Sequence, residues 1–108
     1  MIKVNVFRKD RAIHLFEISG HANSGPYGYD LVCAGVSAVS FGAVNAVIKL
    51  CEVDLKIDQG EDGGYLSVEI PSSLSIEQSE QVQLILEAML ISLQTIEREY
   101  SKFIQIKD

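Results

Sequence analysis

The stretch 31–50, near the middle of the chain, contains only one charged residue, Lys49. Its sequence, LVCAGVSAVSFGAVNAVIKL, is apolar on most sides of a helix, which is typical of a helix buried in a protein core. Its alanines and glycines allow neighbouring elements to approach closely, although each internal glycine costs roughly 1 kcal/mol relative to alanine. The sequence therefore predicts a buried helix from about Leu31 to Leu50.

Segments with strand periodicity lie on both sides of this helix. Residues 2–8 alternate apolar and polar side chains, and residues 12–19 continue after a short polar turn, so the two segments predict a β-hairpin. The turn lacks the strongest hairpin signal, which is Asn-Gly or Asp-Gly. Residues 53–58 and 64–70 predict two further strands joined by a glycine-containing turn. Two pairs of strands therefore flank the helix.

A second long helix is predicted near the end of the chain. Ser75 and Gln78 form a capping box at its start. Leu84 and Ile91 do not belong to the apolar stripe of this helix, and such residues are typical of a wide core face or of a subunit contact. The stripe itself recurs at helical spacing and consists of Val82, Ile85, Met89, Leu93, Ile96 and Tyr100.

The order of elements is ββαββα, with a last strand predicted from the alternation at 102–107. This order predicts an α+β fold in which two helices pack on a mainly antiparallel sheet. The chain has 108 residues, of which 47% are hydrophobic and 22% charged. That length and composition predict one compact domain spanning residues 1–108.

Charge and hydropathy disfavour several kinds of partner. The formal net charge is −6 and no cluster of Lys and Arg occurs, which disfavours direct nucleic-acid binding because phosphates are bound chiefly by basic side chains. We expect no apolar run of the roughly 18 residues that a bilayer requires, and the first residues lack a signal-peptide pattern. The sequence therefore predicts a cytoplasmic protein without a membrane partner.

The chain contains two cysteines, Cys33 and Cys51. If one helix joins them, their Cα atoms lie about 27 Å apart at ~1.5 Å of rise per residue, whereas a disulfide requires about 7 Å or less. Two cysteines and two histidines without CxxC spacing also make a poor zinc site. We therefore expect free thiols and no metal.

A glycine-rich segment brings the first cysteine close in sequence to a histidine. It reads SGHANSGPYGYDLVCAGVSAVSFG, with His21 at its front and Cys33 in the first turn of the predicted helix. The thiolate is the nucleophilic form of cysteine, and both an imidazolium and the positive end of a helix dipole favour it. Unpaired amides at a helix start also suit the oxyanion of an acyl-transfer intermediate. The segment therefore holds a candidate nucleophile, base and oxyanion site.

Each of these residues also has a purely structural interpretation. A lone cysteine among Val, Ala and Gly is commonly a small core residue, and a histidine after a strand commonly makes one loop hydrogen bond. Asp30 suits a helix start, where a carboxylate accepts hydrogen bonds from free amides. Ser37 follows Cys33 by one helical turn, and its hydroxyl suits a bond to the preceding backbone. Spacing alone leaves both interpretations open.

The same residues carry a resemblance to a known family. GHA at 20–22, Gly28, Asp30 and VCAGVSA at 32–38 resemble the motifs of the Prp family of ribosomal-processing cysteine proteases. The resemblance extends over nearly the whole chain in length and element order. It implies a cysteine endopeptidase that removes the short, largely hydrophobic N-terminal extension of a large-subunit ribosomal protein, a step needed for ribosome assembly.

The resemblance also implies roles for individual residues. Cys33 corresponds to the family's nucleophile and His21 to its catalytic base, with no cofactor. The resemblance further implies a homodimer, and a loop at 22–30 that orders when substrate binds. Supporting or substrate-binding roles are expected at Asp30, Ser37, Gly20, Ala34 and Gly28.

Two other hypotheses remain open at the level of sequence. In the first hypothesis, the protein is a non-catalytic, ribosome-associated module that binds a basic protein through its acidic surface, and Cys33 is a core residue. Alternatively it is a thiol redox sensor, in which Cys33 reacts without acyl chemistry. A sensor usually needs a resolving cysteine nearby, and Cys51 is too distant along the helix within one chain.

Overall fold

The computed structural model describes residues 1–20, 29–61 and 64–108, without the side chains of residues 29 and 30. Two helices and five strands follow one another in the predicted order. The elements are β1 (Ile2–Lys9), β2 (Ala12–Ser19), α1 (Tyr29–Cys51), β3 (Lys56–Asp58), β4 (Tyr65–Glu69), α2 (Ile76–Glu99) and β5 (Ile104–Lys107).

The five strands form one sheet in the order β3-β4-β2-β1-β5. All neighbouring pairs are antiparallel except β1 and β5, which run parallel. Side chains alternate along β1, where Ile2, Val4 and Val6 are buried while Lys3 and Phe7 are exposed. One face of the sheet is therefore buried, and both helices pack on that face. The predicted α+β fold with a mainly antiparallel sheet is confirmed.

The predicted hairpin forms although its turn contains no glycine. Lys9 pairs with Ala12, and the two residues between them, Asp10 and Arg11, have φ values of 51° and 73°. Positive φ at both central positions is the type I′ geometry, whose twist matches that of the flanking strands. Aspartate tolerates this conformation better than most residues, which explains how the hairpin forms without the strongest turn signal.

The first helix begins two residues earlier than the sequence predicts, at Tyr29 instead of Leu31. The strand predicted at 53–58 is shorter than expected, since only Lys56–Asp58 pairs with β4. The chain leaves the helix through Glu52, which has a φ of 56°. Residues 53–55 then lead to the strand without pairing.

The expectation that no apolar run is long enough for a bilayer is wrong. Among the described residues, Leu31–Cys51 is long and apolar enough to cross a bilayer by length and composition only, with a mean hydropathy of 2.0 over an 18-residue window. Ser37, Ser40 and Asn45 interrupt the run but are too few to bring this average below the value that a membrane span requires. A soluble core helix passes the same test, and α1 contributes Val32 and Val47 to the core. Only 28% of the window is buried, however, so much of its apolar surface is uncovered.

The second helix begins as predicted, with the capping box of Ser75 and Gln78. Its buried face is offset from the predicted stripe, because Leu86 and Leu90 are buried whereas Tyr100 lies beyond the helix and is 36% exposed. Of the predicted stripe, only Val82, Met89 and Leu93 are fully buried, while Ile85 and Ile96 pack partly against the core.

A cluster of charges joins β1, α2 and the last residue. The guanidinium of Arg8 donates to both carboxylate oxygens of Glu87, with N–O distances of 2.7 and 3.0 Å, and to both of Asp108, at 2.8 and 3.0 Å. It also donates to the carbonyl of Arg11 at 2.8 Å. These bidentate contacts fix the C-terminal end of β5 against the sheet and α2.

Acid titration tests what this cluster contributes. Hydrogen bonds from Arg8 lower the pKa of both Glu87 and Asp108 in the folded protein. A carboxylate whose pKa is lower in the folded than in the unfolded protein stabilises the fold at pH values above its unfolded pKa, which is about 4. That contribution is lost as the pH falls through the pKa of the folded state. We expect Arg8→Ala to lower the free energy of unfolding by about 1 kcal/mol at pH 7. The difference in unfolding free energy between wild type and variant should be smaller at pH 3. Urea unfolding at both pH values measures this.

The matched control for this prediction is Lys102→Ala. Lys102 is exposed and forms no ion pair within the described part of the chain, so its removal should change stability little at either pH. A deficit for Arg8→Ala that is the same at pH 7 and pH 3 would contradict an origin in these two carboxylates.

Candidate active site

A cavity of about 380 Å³ lies where the ends of three central strands meet the first half of α1. Its apolar lining on the sheet side includes Ile2, Ile18 and Leu66, which come from β1, β2 and β4. On the helix side it is lined by Val36 and Phe41. The cavity is therefore walled mainly by hydrophobic side chains, as is typical of a site that takes an apolar group.

Cys33 lines this cavity from the helix side. It is a free cysteine, half-buried against the hydrophobic core but not sealed within it. Because α1 starts at Tyr29, Cys33 is the fifth helical residue and lies in the second turn; the expectation of the first turn is wrong. Only the first four amides of an α-helix lack a partner within the helix. Among the described residues, the amides available to an oxyanion are therefore those of residues 29–31, just before the thiol.

On the sheet side of the cavity, the end of β2 comes just before the predicted base, His21, in the sequence. Gly20 lines the cavity, and its amide donates to the carbonyl of Gly64 at 2.9 Å. Its φ of 126° suits only glycine, and a Cβ there would lie 2.3 Å from the carbonyl oxygen of Met1. The chain therefore leaves β2 along a path that a side chain would block. His21 follows directly in sequence but lies outside the described residues.

The other predicted supporting residues divide into three groups. Ser37 is exposed and lines the cavity one turn after Cys33. Ala34 is exposed and is absent from the described lining of the cavity; one residue beyond Cys33, it lies about 100° further round the helix, and its supporting role stays a prediction. Gly28 and the side chain of Asp30 lie outside what the structure describes.

Nine of the twelve described lining residues were not identified from the sequence as site residues, among them Ile2, Phe41, Gln59 and Tyr65. Gln59 and Tyr65 are more than 25 positions from Cys33 in the chain. They reach the cavity because β4 pairs with β2, with Tyr65 opposite Ser19. The sequence contains both strands but no signal for their pairing order, so these residues had no visible link to the thiol. Phe41 carried a signal, since it lies eight positions after Cys33 on a helix and so near the same face.

A thiol that lines a cavity just behind the free amides of a helix is compatible with nucleophilic catalysis. The family described as "Cysteine protease Prp" matches residues 1–105. The chain belongs to this family.

Individual relatives agree with this assignment. The chain is 50% identical over 107 residues to the ribosomal processing cysteine protease Prp of Bacillus subtilis, covering 98% of this chain and 96% of that protein. It is similar in structure to the essential ribosomal processing protease Prp from S. aureus in complex with a substrate peptide, with a TM-score of 0.87, 39% identity and coverage of 99% and 98%. The S. aureus complex with a covalently linked product peptide has a TM-score of 0.84 at 41% identity, covering 99% and 98%. This chain is therefore a cysteine protease of α+β fold.

Proposed function

We propose that this protease removes the N-terminal extension of a large-subunit ribosomal protein in the cytoplasm, with Cys33 as nucleophile and His21 as base. The observation that carries the proposal is the position of Cys33, which lines an apolar cavity without being sealed in the core. The relative from S. aureus, which has the same fold, is known in complex with a substrate peptide and with a covalently linked product peptide. Both complexes support peptide cleavage by this chain.

The proposed reaction uses the thiol and the imidazole in turn. His21 takes the proton of Cys33, and the sulfur attacks the scissile carbonyl carbon to form a C–S bond and an oxyanion. Free amides at residues 29–31 stabilise that oxyanion. The C–N bond then breaks, and protonated His21 gives its proton to the leaving amine. Water, deprotonated by His21, hydrolyses the thioester and restores the thiol. No metal and no cofactor enter these steps.

The lining of the cavity favours an apolar residue of the substrate. Ile2, Ile18, Val36, Phe41 and Leu66 all contribute to it, and burying an apolar side chain there gains roughly 25 cal/mol for each Å² removed from water. A largely hydrophobic extension suits such a wall, whereas the charged body of a ribosomal protein does not. We therefore place the extension side of the scissile bond in this cavity.

Cleavage of a defined peptide tests the proposed function. The peptide spans the junction between the extension and the body of the ribosomal protein from the same organism, and mass spectrometry identifies the products. We expect a single cut that leaves the body intact. A peptide with the apolar residue before the cut replaced by aspartate is the matched control and should remain uncut. Recovery of the uncut junction peptide after incubation with folded protein would contradict the proposal.

The redox-sensor hypothesis has less support in this structure. Cys51, the other cysteine, is buried at the far end of α1, so it does not meet Cys33 within one chain. The hypothesis of a binding module with Cys33 in the core also loses its main premise, because Cys33 lines the cavity. A binding module would form a complex that survives both Cys33→Ala and His21→Ala without any peptide cut.

We also propose that the protein forms a homodimer through the outer face of its two helices. On α1, Leu31 and Ile48 are 63% and 38% exposed, and on α2, Leu84 and Ile91 are 73% and 64% exposed. Leu84 and Ile91 lie two turns apart and so share one face of the helix. Exposed apolar patches of this kind commonly mark a protein interface.

Sedimentation velocity tests the dimer. We expect the wild type to sediment as a dimer at micromolar concentration and the double variant Leu84→Glu/Ile91→Glu to sediment as a monomer, because two buried carboxylates would lack partners. Phe7→Glu is the control, since Phe7 is 45% exposed but lies on the open face of the sheet. A dimer that persists in the double variant would contradict this interface.

A further inference from the structure

Gln59 is a cavity residue whose hydrogen-bonding groups are unused. It lines the same cavity as Cys33 and is exposed, and its carboxamide makes no hydrogen bond to any residue that the structure describes. It comes directly after the edge strand β3, so it approaches the cavity from the sheet side while Cys33 approaches from the helix. A carboxamide offers donors and an acceptor together.

The backbone around Gln59 is held in one conformation by its neighbours. The carboxylate of Asp58 accepts a hydrogen bond from the amide of Gly60 at 2.9 Å, which closes a turn around Gln59. Gly60 has a φ of 68°, and a Cβ on it would lie 3.5 Å from the Cβ of Tyr65. Tyr65 is itself fixed in the sheet opposite Ser19. The backbone of the turn is therefore set before a substrate binds, and a contact made by Gln59 has only its own side chain to order.

The other polar residues of the cavity are less suited to meet a peptide backbone from this side. The hydroxyl of Ser40 is buried and already donates to the carbonyl of Val36. Ser37 lies on the helix side, next to the thiol. A peptide that enters a mainly apolar cavity loses water from its N–H and C=O groups, and each such group needs a new partner. On the sheet side, Gln59 and Tyr65 both line the cavity. The hydroxyl of Tyr65 is a single group, whereas the carboxamide of Gln59 has a separate donor and acceptor and so can pair with an N–H and a C=O at once.

We propose that the carboxamide of Gln59 hydrogen-bonds the backbone of the substrate residue whose side chain enters the cavity, and so positions the scissile carbonyl over Cys33. The inference rests on the proposed peptide cleavage, and it adds a substrate contact outside the segment that holds the nucleophile and base. Because the contact exists before and during attack, its loss should raise KM more than it lowers kcat.

Substitution of Gln59 combined with backbone-modified substrates tests this contact. We expect Gln59→Ala to lower kcat/KM about 10-fold, which is the effect of one hydrogen bond, while Gln105→Ala, an exposed glutamine on β5, leaves it unchanged. Peptides are then made with each backbone amide near the cut replaced in turn by an ester, which removes one N–H. One of these replacements should lower kcat/KM about 10-fold in the wild type and leave the kcat/KM of Gln59→Ala unchanged.

Binding is measured separately in the Cys33→Ala background, so that failure of the contact and failure of the proposed function are distinguishable. There Gln59→Ala should weaken binding of the unmodified peptide about 10-fold. Equal kcat/KM and equal binding for Gln59→Ala and the wild type would overturn the contact. The contact would also be overturned if each ester lowered kcat/KM by the same factor in the wild type and in Gln59→Ala. A residue that acts only through folding gives such additive effects. Binding without cleavage by the wild type would instead overturn the proposed function.

Discussion

Cys33→Ala is expected to abolish cleavage of the junction peptide, lowering kcat/KM by about 10⁴-fold or more, while the protein remains folded. The reason is that the substitution removes the only described thiol that lines the cavity, and with it the acyl-enzyme route. Cys33 is only half-buried, so the loss of its sulfur should cost little stability. Progress curves from peptide cleavage, together with a urea unfolding curve, measure both quantities.

The matched control uses the second cysteine. Cys51 is 5% exposed and belongs to the core, so Cys51→Ala should lower stability by about 1 kcal/mol but leave kcat/KM unchanged. His21→Ala should impair cleavage to an extent similar to Cys33→Ala, because the base and nucleophile act as one unit. Cleavage at the wild-type rate by either Cys33→Ala or His21→Ala would contradict the assigned roles.

Gly20→Ala is expected to have the second-largest effect, on stability and activity together. The new Cβ would lie 2.3 Å from the carbonyl oxygen of Met1 and 2.9 Å from the Cα of Ile2, at a φ of 126°. Backbone atoms cannot yield as a flexible side chain does, so the start of β1 or the exit from β2 must shift. We expect a loss of about 3 kcal/mol in the free energy of unfolding. Activity should fall about 10²-fold in the folded fraction, because His21 follows directly.

Gly42→Ala is the control for this prediction. Gly42 lies inside α1, and a Cβ on it would meet nothing within 4 Å. Alanine there should raise the free energy of unfolding by up to about 1 kcal/mol without changing cleavage. Urea unfolding and peptide cleavage of the two variants are compared at the same temperature. A Gly20→Ala protein as stable and as active as Gly42→Ala would show that the close approach to Met1 does not constrain the site.

The order of the elements was predictable because periodicity is a local property of the sequence. The alternation in β1 and β2, and the capping box of Ser75 and Gln78, indicated the correct types of structure. Boundaries were less accurate where a backbone turn decides them, as at Glu52, whose φ of 56° separates α1 from a short β3. The buried face of α2 was also misplaced, because Leu86 and Leu90 face the core through tertiary packing that the spacing alone does not reveal.

The candidate site was predictable only in the part that is contiguous in sequence. Gly20 and Cys33 line one cavity as the motif implied. Gln59 and Tyr65 join them through the pairing of β4 with β2, which is a long-range choice that no local pattern specifies. Ala34 belongs to the motif but not to the described lining of the cavity, because adjacent residues on a helix point about 100° apart.

Mapping the covalent intermediate tests whether Cys33 is the nucleophile. The wild-type protein is mixed with the junction peptide, quenched in acid within the first turnover, digested and examined by tandem mass spectrometry. We expect the N-terminal fragment of the substrate to be attached as a thioester to Cys33. Cleavage that proceeds with no acyl group on Cys33 at any time point, or with the fragment attached to another residue, would contradict this expectation.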